Sequence, residues 1–132
     1  MTRARKVKEI SFTMPNKVGL LSEVTTAVAG AKVNITAICA YAMENSAHFM
    51  LTVDSNAKAK KALALLGVGI EERDVVEVEM PNKSGELQKV AKKIADAGIN
   101  IEYIYGTAEA GKMAPCVLKT SDDQKMIKII NK

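Results

Sequence analysis

The sequence predicts an α+β fold built from two copies of one unit of strands and helices. The first observation is a repeat: residues 14–21, Met-Pro-Asn-Lys-Val-Gly-Leu-Leu, return 66 positions later as residues 80–87, Met-Pro-Asn-Lys-Ser-Gly-Glu-Leu. The second is that strand-like alternation precedes each copy and helix-like spacing follows it. A repeated supersecondary unit explains both observations, so we interpret the chain as a tandem duplication.

The opening strand of each copy is predicted by period-two alternation over residues 8–14 and 75–80. Alternation puts the apolar side chains on one face, which is expected to be buried, and the polar side chains on the other. A proline follows each strand, and because proline lacks an N–H it suits a strand end. The side chains expected to be buried are Ile10, Phe12, Met14, Val76, Val78 and Met80.

An amphipathic helix is predicted after the glycine of each copy, because apolar residues recur there at spacings of three and four. Gly98 stands where the second helix ends, and glycine adopts the left-handed conformation of a C-terminal cap without strain. The first copy has Lys32 there, which costs about 1 kcal/mol if the cap has the same geometry; the alternative is a helix that ends earlier, near Gly30. The apolar stripes comprise Leu20, Leu21, Val24, Ala27, Val28 and Ala31, then Leu87, Val90, Ala91, Ile94 and Ala97.

A strand pair follows each of these helices. In the first copy a short turn joins the two strands, and in the second a longer connection over residues 107–112 does so and is expected to be mobile. The predicted strands span residues 33–42, 47–53, 99–106 and 115–120.

A second helix is predicted to close each copy, with Ser55 capping residues 57–66 and Ser121 capping residues 122–131. The first copy continues into a strand around residues 68–72, whereas the second reaches the end of the sequence. The order βαββαβ followed by βαββα predicts a four-stranded and a three-stranded antiparallel sheet, each with helices on one face.

We predict two modules, residues 7–73 and 74–132, preceded by a basic tail over residues 1–6. Each module is about 65 residues long, a size at which a lone core is marginally stable, so the modules are expected to support each other. The missing last strand leaves the edge along residues 75–80 open. Because exposed strand edges are usually paired, we expect a homodimer.

Composition indicates a globular protein, with 48% apolar and 26% charged residues, and no apolar run approaches the roughly 20 residues of a membrane span. The tail residues Arg3, Arg5 and Lys6 contribute to the formal net charge of +4; a short charged terminus is expected to be solvated, although a basic arm can also contact nucleic acid. No apolar segment of a signal peptide follows, so we expect a cytoplasmic protein. Cys39 and Cys116 fit no zinc or redox spacing and are expected to be free thiols.

The paired motifs resemble the ACT domain. A strand ends in Pro-Asn-Lys-x-Gly-x-Leu at residues 81–87, and Gly-Ile-Asn-Ile at residues 98–101 leads into the next strand, with a fainter copy at residues 15–20 and 33–35. The resemblance covers nearly the whole chain and implies a ferredoxin-like tandem fold. It also implies a regulatory protein that binds a small molecule, usually an amino acid, at an interface between paired ACT domains and acts on an enzyme or transporter.

The resemblance further implies ligand contacts at the turn from strand to helix in each copy. The chemistry is compatible, because glycine lets a ligand's carboxylate approach the free N–H groups at a helix N-terminus and asparagine both donates and accepts hydrogen bonds. The alternative is that the asparagines only close their own turns. The implied residues are Asn16, Gly19, Leu20 and Asn34 in the first copy, and Asn82, Gly85, Glu86 and Asn100 in the second.

Two other function classes fit the sequence less well. Catalysis is disfavoured because no nucleophile, metal-ligand or phosphate-loop pattern occurs, and His48 falls on the exposed phase of its strand; no cofactor and no metal are expected.

The alternative function is RNA binding through the basic tail, since the RNA-recognition motif shares this order of elements. That fold needs exposed aromatic side chains on its middle strands, whereas Tyr41, Tyr103 and Tyr105 share the phase of inward isoleucines.

Overall fold

The computed structural model describes residues 1–107 and 111–132, and the chain divides into two compact units. The first, called here the 8–73 unit, is Lys8–Arg73. The second, called here the 74–132 unit, is Asp74–Lys132 together with Met1–Val7. Part of the connection predicted to be mobile, residues 108–110, lies outside the described residues.

The described residues form six strands and four helices in the predicted order, with one difference. The strand predicted around residues 68–72 and the strand predicted over residues 75–80 are a single strand. The elements are β1 (Arg3–Pro15), α1 (Leu20–Gly30), β2 (Ile35–Met43), β3 (Ser46–Val53), α2 (Asn56–Ala64), β4 (Glu71–Pro81), α3 (Glu86–Asp96), β5 (Ile101–Gly106), β6 (Met113–Thr120) and α4 (Asp123–Asn131).

The 8–73 unit contains a sheet with the strand order β2-β3-β1-β4. The strand β3 pairs antiparallel with both β1 and β2. The apolar face predicted for β1 is confirmed, because Ile10, Phe12 and Met14 are buried, but Glu9 on the opposite face is fully buried as well. Phe12 stacks on Phe49 of the neighbouring strand with ring centroids 5.0 Å apart, and the two rings lie in the core beside Leu20 of α1.

The 74–132 unit has a four-stranded sheet with the order β1-β4-β6-β5, not the predicted three-stranded one. The first residues of β1 lie beside β4, where Arg5 pairs with Glu77 at 2.7 Å. Ala4 is 4% exposed and belongs to the core of this unit. Its N–H donates to Asn131 Oδ1 (2.7 Å) and its carbonyl accepts from Asn131 Nδ2 (2.8 Å), so α4 holds the segment at both backbone groups.

The expectation of an open edge along residues 75–80 is therefore wrong, and residues 1–6 are not a separate tail, although the Arg3, Arg5 and Lys6 side chains are exposed as expected. Residues 3–7 are a strand, and they lie along the edge that was expected to be open. The physical reason is that the strand comes from the opposite end of the chain, which a linear comparison of the two copies does not reveal. The open edge no longer supports the expectation of a homodimer.

A β-bulge overturns the expected phase of the three tyrosines. The pairing of β2 with β3 shifts between Ile35 and Ala37, and the pairing of β5 with β6 shifts at the equivalent place. A bulge inserts one extra residue into a strand, so every later side chain changes face. Tyr41 consequently stacks on His48 at 5.0 Å. Tyr103 and Tyr105 likewise lie opposite the face that carries the core residues.

The helix caps agree with the sequence in one copy and shift by one residue in the other. Ser55 Oγ accepts from Lys58 N (3.4 Å), as predicted. In the second copy the cap is Asp122, whose Oδ1 accepts from Lys125 N (3.1 Å). Ser121 is used differently, since its Oγ accepts from Asn100 N (3.0 Å).

The C-terminal caps of α1 and α3 have the same geometry. Lys32 has φ 60° and Gly98 has φ 71°, both in the left-handed region. After α1, Val33 N donates to Val28 O (3.3 Å), and after α3 the equivalent N–H of Ile99 donates to Ile94 O (3.2 Å). This is the hydrogen bonding of a Schellman cap.

We expect Lys32→Gly to raise the free energy of unfolding by a few tenths to about 1 kcal/mol, because it removes left-handed strain that exceeds the added unfolded-state entropy of glycine. Urea denaturation followed by circular dichroism measures the change. The matched control is Gly98→Ala, which should lower the midpoint. A lower midpoint for Lys32→Gly would contradict the argument.

We expect Asn131→Ala to destabilise the protein by about 1 kcal/mol or more, because it leaves both backbone groups of the buried Ala4 without their partner. Hydrogen exchange should also quicken at the amides of residues 3–7. Lys132→Ala is the control, since it changes the neighbouring side chain and leaves the Asn131 contacts in place. Unchanged exchange in Asn131→Ala would show that the N-terminal strand is held without this contact.

Candidate functional site

The two repeated turns have matching backbones. Gly19 precedes α1 with φ 86°, and Gly85 precedes α3 with φ 90°. A Cβ would meet no atom within 4 Å at either position, so the glycine is needed for its left-handed conformation rather than for space.

Each turn is also tied to the neighbouring hairpin at its first asparagine. Asn16 N donates to Asn45 O and Asn82 N donates to Lys112 O, both at 2.8 Å. The two repeated turns therefore have the same course of the backbone, and the differences between them come from side chains.

A cavity of about 520 Å³ lies beside this turn in the 74–132 unit. It is formed where β4 ends, α3 begins and the β5–β6 pair closes one side. Its apolar wall includes Met80, Leu87, Ile104 and Pro115, and its polar groups include Asn82, Lys83 and Glu86. This size and this mixture of apolar wall and few polar groups are typical of a small-molecule site.

The 8–73 unit has a smaller cavity at the equivalent turn, of about 340 Å³. Asn16, Gly19 and Leu20 line it on the turn side, and Tyr41 and Phe49 line it on the sheet side.

Two substitutions between the copies account for the difference. The first residue of the helix is Leu20 in α1 and Glu86 in α3. On the sheet, Ala47 opposite Met14 corresponds to Ala114 opposite Met80, so Phe49 corresponds to Cys116. A phenyl ring thus occupies the place where the second copy has only a thiol.

Glu86 is a buried carboxylate at the wall of the larger cavity. The residue is 7% exposed, and the Lys89 ammonium 2.9 Å from Oε2 lowers the pKa of this carboxyl below its usual value. Within residues 1–107 and 111–132, the hydrogen bond to Glu86 comes from Lys89 and engages Oε2. Oε1 is therefore available to a further donor.

Lys83 carries the opposite charge at the same cavity. Its side chain is exposed, and it contributes to the lowered pKa of Glu86. In the described part of the chain it forms no ion pair, whereas its counterpart Lys17 pairs with Glu23 at 3.0 Å. The position of Glu23 is taken by Lys89 in the second copy, which explains the difference.

Cys116 stands on the sheet side of the larger cavity, where burial raises the pKa of its thiol to about 11. Gly106 lies opposite it, and a Cβ at Gly106 would approach Cys116 Cβ to 2.7 Å. Both cysteines are free. The close backbone approach fixes this wall of the cavity.

The structure brings together some of the sequence-predicted residues and separates others. Asn16, Gly19 and Leu20 line the smaller cavity, and Asn82 and Glu86 line the larger one, with Gly85 in its turn. Asn82 Nδ2 also donates to Gly111 O (3.1 Å), so part of its hydrogen bonding is local.

Asn34 and Asn100 lie elsewhere. Each stands at the start of a strand whose far end reaches the cavity, and each N–H bonds to a side chain that follows the partner strand: Asn34 to Asp54 Oδ1 and Asn100 to Ser121 Oγ, both at 3.0 Å. The six residues of β5 span about 20 Å. The structure therefore does not bring these two asparagines to either cavity.

Sequence reasoning missed Lys83, Ile104 and Cys116. Lys83 belongs to the repeated motif. An alignment of the two copies shows that Lys89 replaces Glu23, which is the ion-pair partner of the equivalent Lys17. The other two come from β5 and β6, whose register depends on the bulge.

Among the described residues, no helix is long and apolar enough to cross a membrane, and no three His, Cys, Asp or Glu side chains are grouped as metal ligands.

Comparison with known proteins gives a family match and several structural matches. A family model described as ACT domain matches residues 8–66. The structure of protein BT0572 from Bacteroides thetaiotaomicron is 31% identical, covers 97% of this chain and 88% of that chain, and has a TM-score of 0.89. No sequence among the curated proteins matches this chain.

Two more distant structures are similar in fold. The regulatory subunit of aspartate kinase from Thermus thermophilus is 17% identical, with 97% of this chain and 94% of that chain covered and a TM-score of 0.69. Escherichia coli aspartokinase III, in complex with lysine and aspartate, is 18% identical, with 97% of this chain and 31% of that chain covered and a TM-score of 0.58.

Proposed function

We propose that this chain is a non-catalytic regulatory protein that binds an amino acid. The premise is that residues 8–66 are an ACT domain and that the chain belongs to the same family as BT0572. The observation that carries the proposal is the larger cavity, where Glu86 and Lys83 place opposite charges beside an apolar wall. A zwitterion with a side chain needs this combination of groups. E. coli aspartokinase III, which shares the fold, is itself a complex with lysine and aspartate.

We further propose that residues 7–73 and 74–132 are two ACT-like modules in tandem. The second module is supported by the matching backbone conformations of the two turns and by the matching C-terminal cap geometry of α1 and α3. The 1–7 segment then belongs to the second module as its fourth strand.

The absence of a catalytic role is supported by the chemistry of the cavity. A thiol whose pKa is raised to about 11, as at Cys116, stays protonated at neutral pH and is a poor nucleophile. The Glu86 carboxyl has a lowered pKa, which suits a binding anion better than a general acid.

RNA binding through the tail is less well supported. Arg5 pairs with Glu77, and residues 3–6 belong to a strand, so the basic residues do not form a free arm. Tyr41, Tyr103 and Tyr105 lie on β2 and β5, which end the strand order of each unit, whereas RNA-recognition motifs use their middle strands.

A regulatory role implies a partner enzyme or transporter, and we propose a cytoplasmic homodimer as the binding form. The dimer is supported by the terminal strand β2, where Ile38, Tyr41 and Met43 are exposed. Exposed apolar edges are usually covered in solution. Sedimentation equilibrium should give about twice the chain mass of 14.2 kDa at tens of micromolar, a rough concentration for a stable dimer, and a monomer would contradict this.

If the protein binds an amino acid only when folded, one of the twenty should raise the melting temperature. A ligand at about 100 times its dissociation constant adds roughly 2.7 kcal/mol. Differential scanning fluorimetry with each amino acid measures the shift. Asn100→Ala is the control, and because this side chain lies away from the cavity the shift should persist. No shift with any amino acid, together with steeply salt-dependent oligonucleotide binding, would favour the RNA alternative.

A further inference from the structure

We infer that the chain binds one ligand molecule, in the larger cavity only, and that this ligand is an α-amino acid with an apolar side chain, held by its ammonium on Glu86 and by its carboxylate on Lys83. The inference rests on the proposed function and deepens it by naming the site, the ligand class and the groups that recognise it. Its basis is the comparison of two cavities that share a backbone and differ in side chains.

The charges are complementary to a zwitterion in one copy only. Within the described part of the chain, the Lys83 ammonium of the larger cavity has no carboxylate partner, and Glu86 Oε1 accepts no hydrogen bond. In the smaller cavity the equivalent lysine, Lys17, forms an ion pair with Glu23, and an uncharged leucine stands in place of Glu86. A ligand's two charged groups would find two partners in the first case and none in the second.

The burial of Glu86 is the second step of the argument. Of the two residues at this helix position, leucine is expected inside a protein, whereas a 7% exposed carboxylate carries a desolvation cost. Lys89 compensates one of its two oxygens. A ligand ammonium on the other oxygen forms a charge-assisted hydrogen bond, which is the strong kind.

The space is also unequal. Phe49 fills the sheet side of the smaller cavity and is stacked on Phe12, so it cannot move without breaking the core. Cys116 at the equivalent position leaves a cavity of about 520 Å³. Because Met80, Leu87 and Ile104 contribute to its wall, the remaining space suits an apolar side chain, and we take L-leucine as the probe.

Isothermal titration with L-leucine tests the inference. We expect one leucine per chain. Glu86→Gln and Lys83→Gln should each weaken the affinity by about tenfold or more, the usual loss when a charge-assisted hydrogen bond is removed. Lys17→Gln is the matched control for Lys83→Gln, and Asp96→Asn, at the other end of α3, is the control for Glu86→Gln. Both controls should bind leucine like the wild type.

Two analogues of leucine separate the roles of the two charges, and their binding to the wild type does not depend on how well a variant folds. In the wild type, 4-methylpentanoate, which lacks the ammonium, and isoamylamine, which lacks the carboxylate, should each bind more weakly than leucine. Glu86→Gln should weaken only isoamylamine, and Lys83→Gln should weaken only 4-methylpentanoate.

The outcomes distinguish the inference from the proposed function. Two leucines per chain, an equal loss in Lys17→Gln, or wild-type affinity in Glu86→Gln and Lys83→Gln would overturn the inference and leave amino-acid binding intact. Binding of a charged amino acid but not of any apolar one would also overturn it. Failure of all twenty amino acids to bind would overturn both.

Discussion

The hydrogen bonding of the β4 edge is the constraint on which the 74–132 unit depends. A sheet edge presents N–H and carbonyl groups that have to be covered, and among the described residues of the second copy no strand after β4 other than β6 lies beside it. Residues 3–7 of β1 take that place, and Asn131 at the end of α4 bonds both backbone groups of Ala4. The first and last segments of the chain are thereby joined, and the core of this unit includes Ala4 beside Val76 and Val78.

The two repeated turns share a backbone conformation and differ in side chains, so the cavities beside them differ in size and in charge. The turn needs glycine at a left-handed position, and both copies keep it. The helix position that follows differs between the copies, so the smaller cavity has an uncharged leucine in its wall and the larger one has a glutamate. The helix residue and the sheet residue differ together between the cavities. Leu20 lies at the same cavity as Phe49, and Glu86 lies at the same cavity as Cys116.

Much of the fold was predictable because its signals are local. The periods of two and 3.6, the repeated turn, the Ser55 cap and the left-handed position of Lys32 each depend on a few neighbouring residues. Three features depended on residues that are far apart in the sequence. The strand at residues 3–7, the single long β4 and the bulges that turn Tyr41, Tyr103 and Tyr105 all follow from pairing across the sheet, which sequence spacing does not encode.

By itself the sequence determined the repeated motif, the ACT resemblance, the order of strands and helices and the turn residues, since a repeat and its spacing can be read without coordinates. It also placed Asn82, Gly85 and Glu86 at the start of α3. Only the tertiary structure decided that Glu86 is buried at the same cavity as Lys83, that Cys116 stands where Phe49 fills the other copy, and that Asn34 and Asn100 lie apart from both cavities. The reason is that a cavity is made by segments far apart in sequence, and their relative positions depend on strand register and on which strand covers each edge.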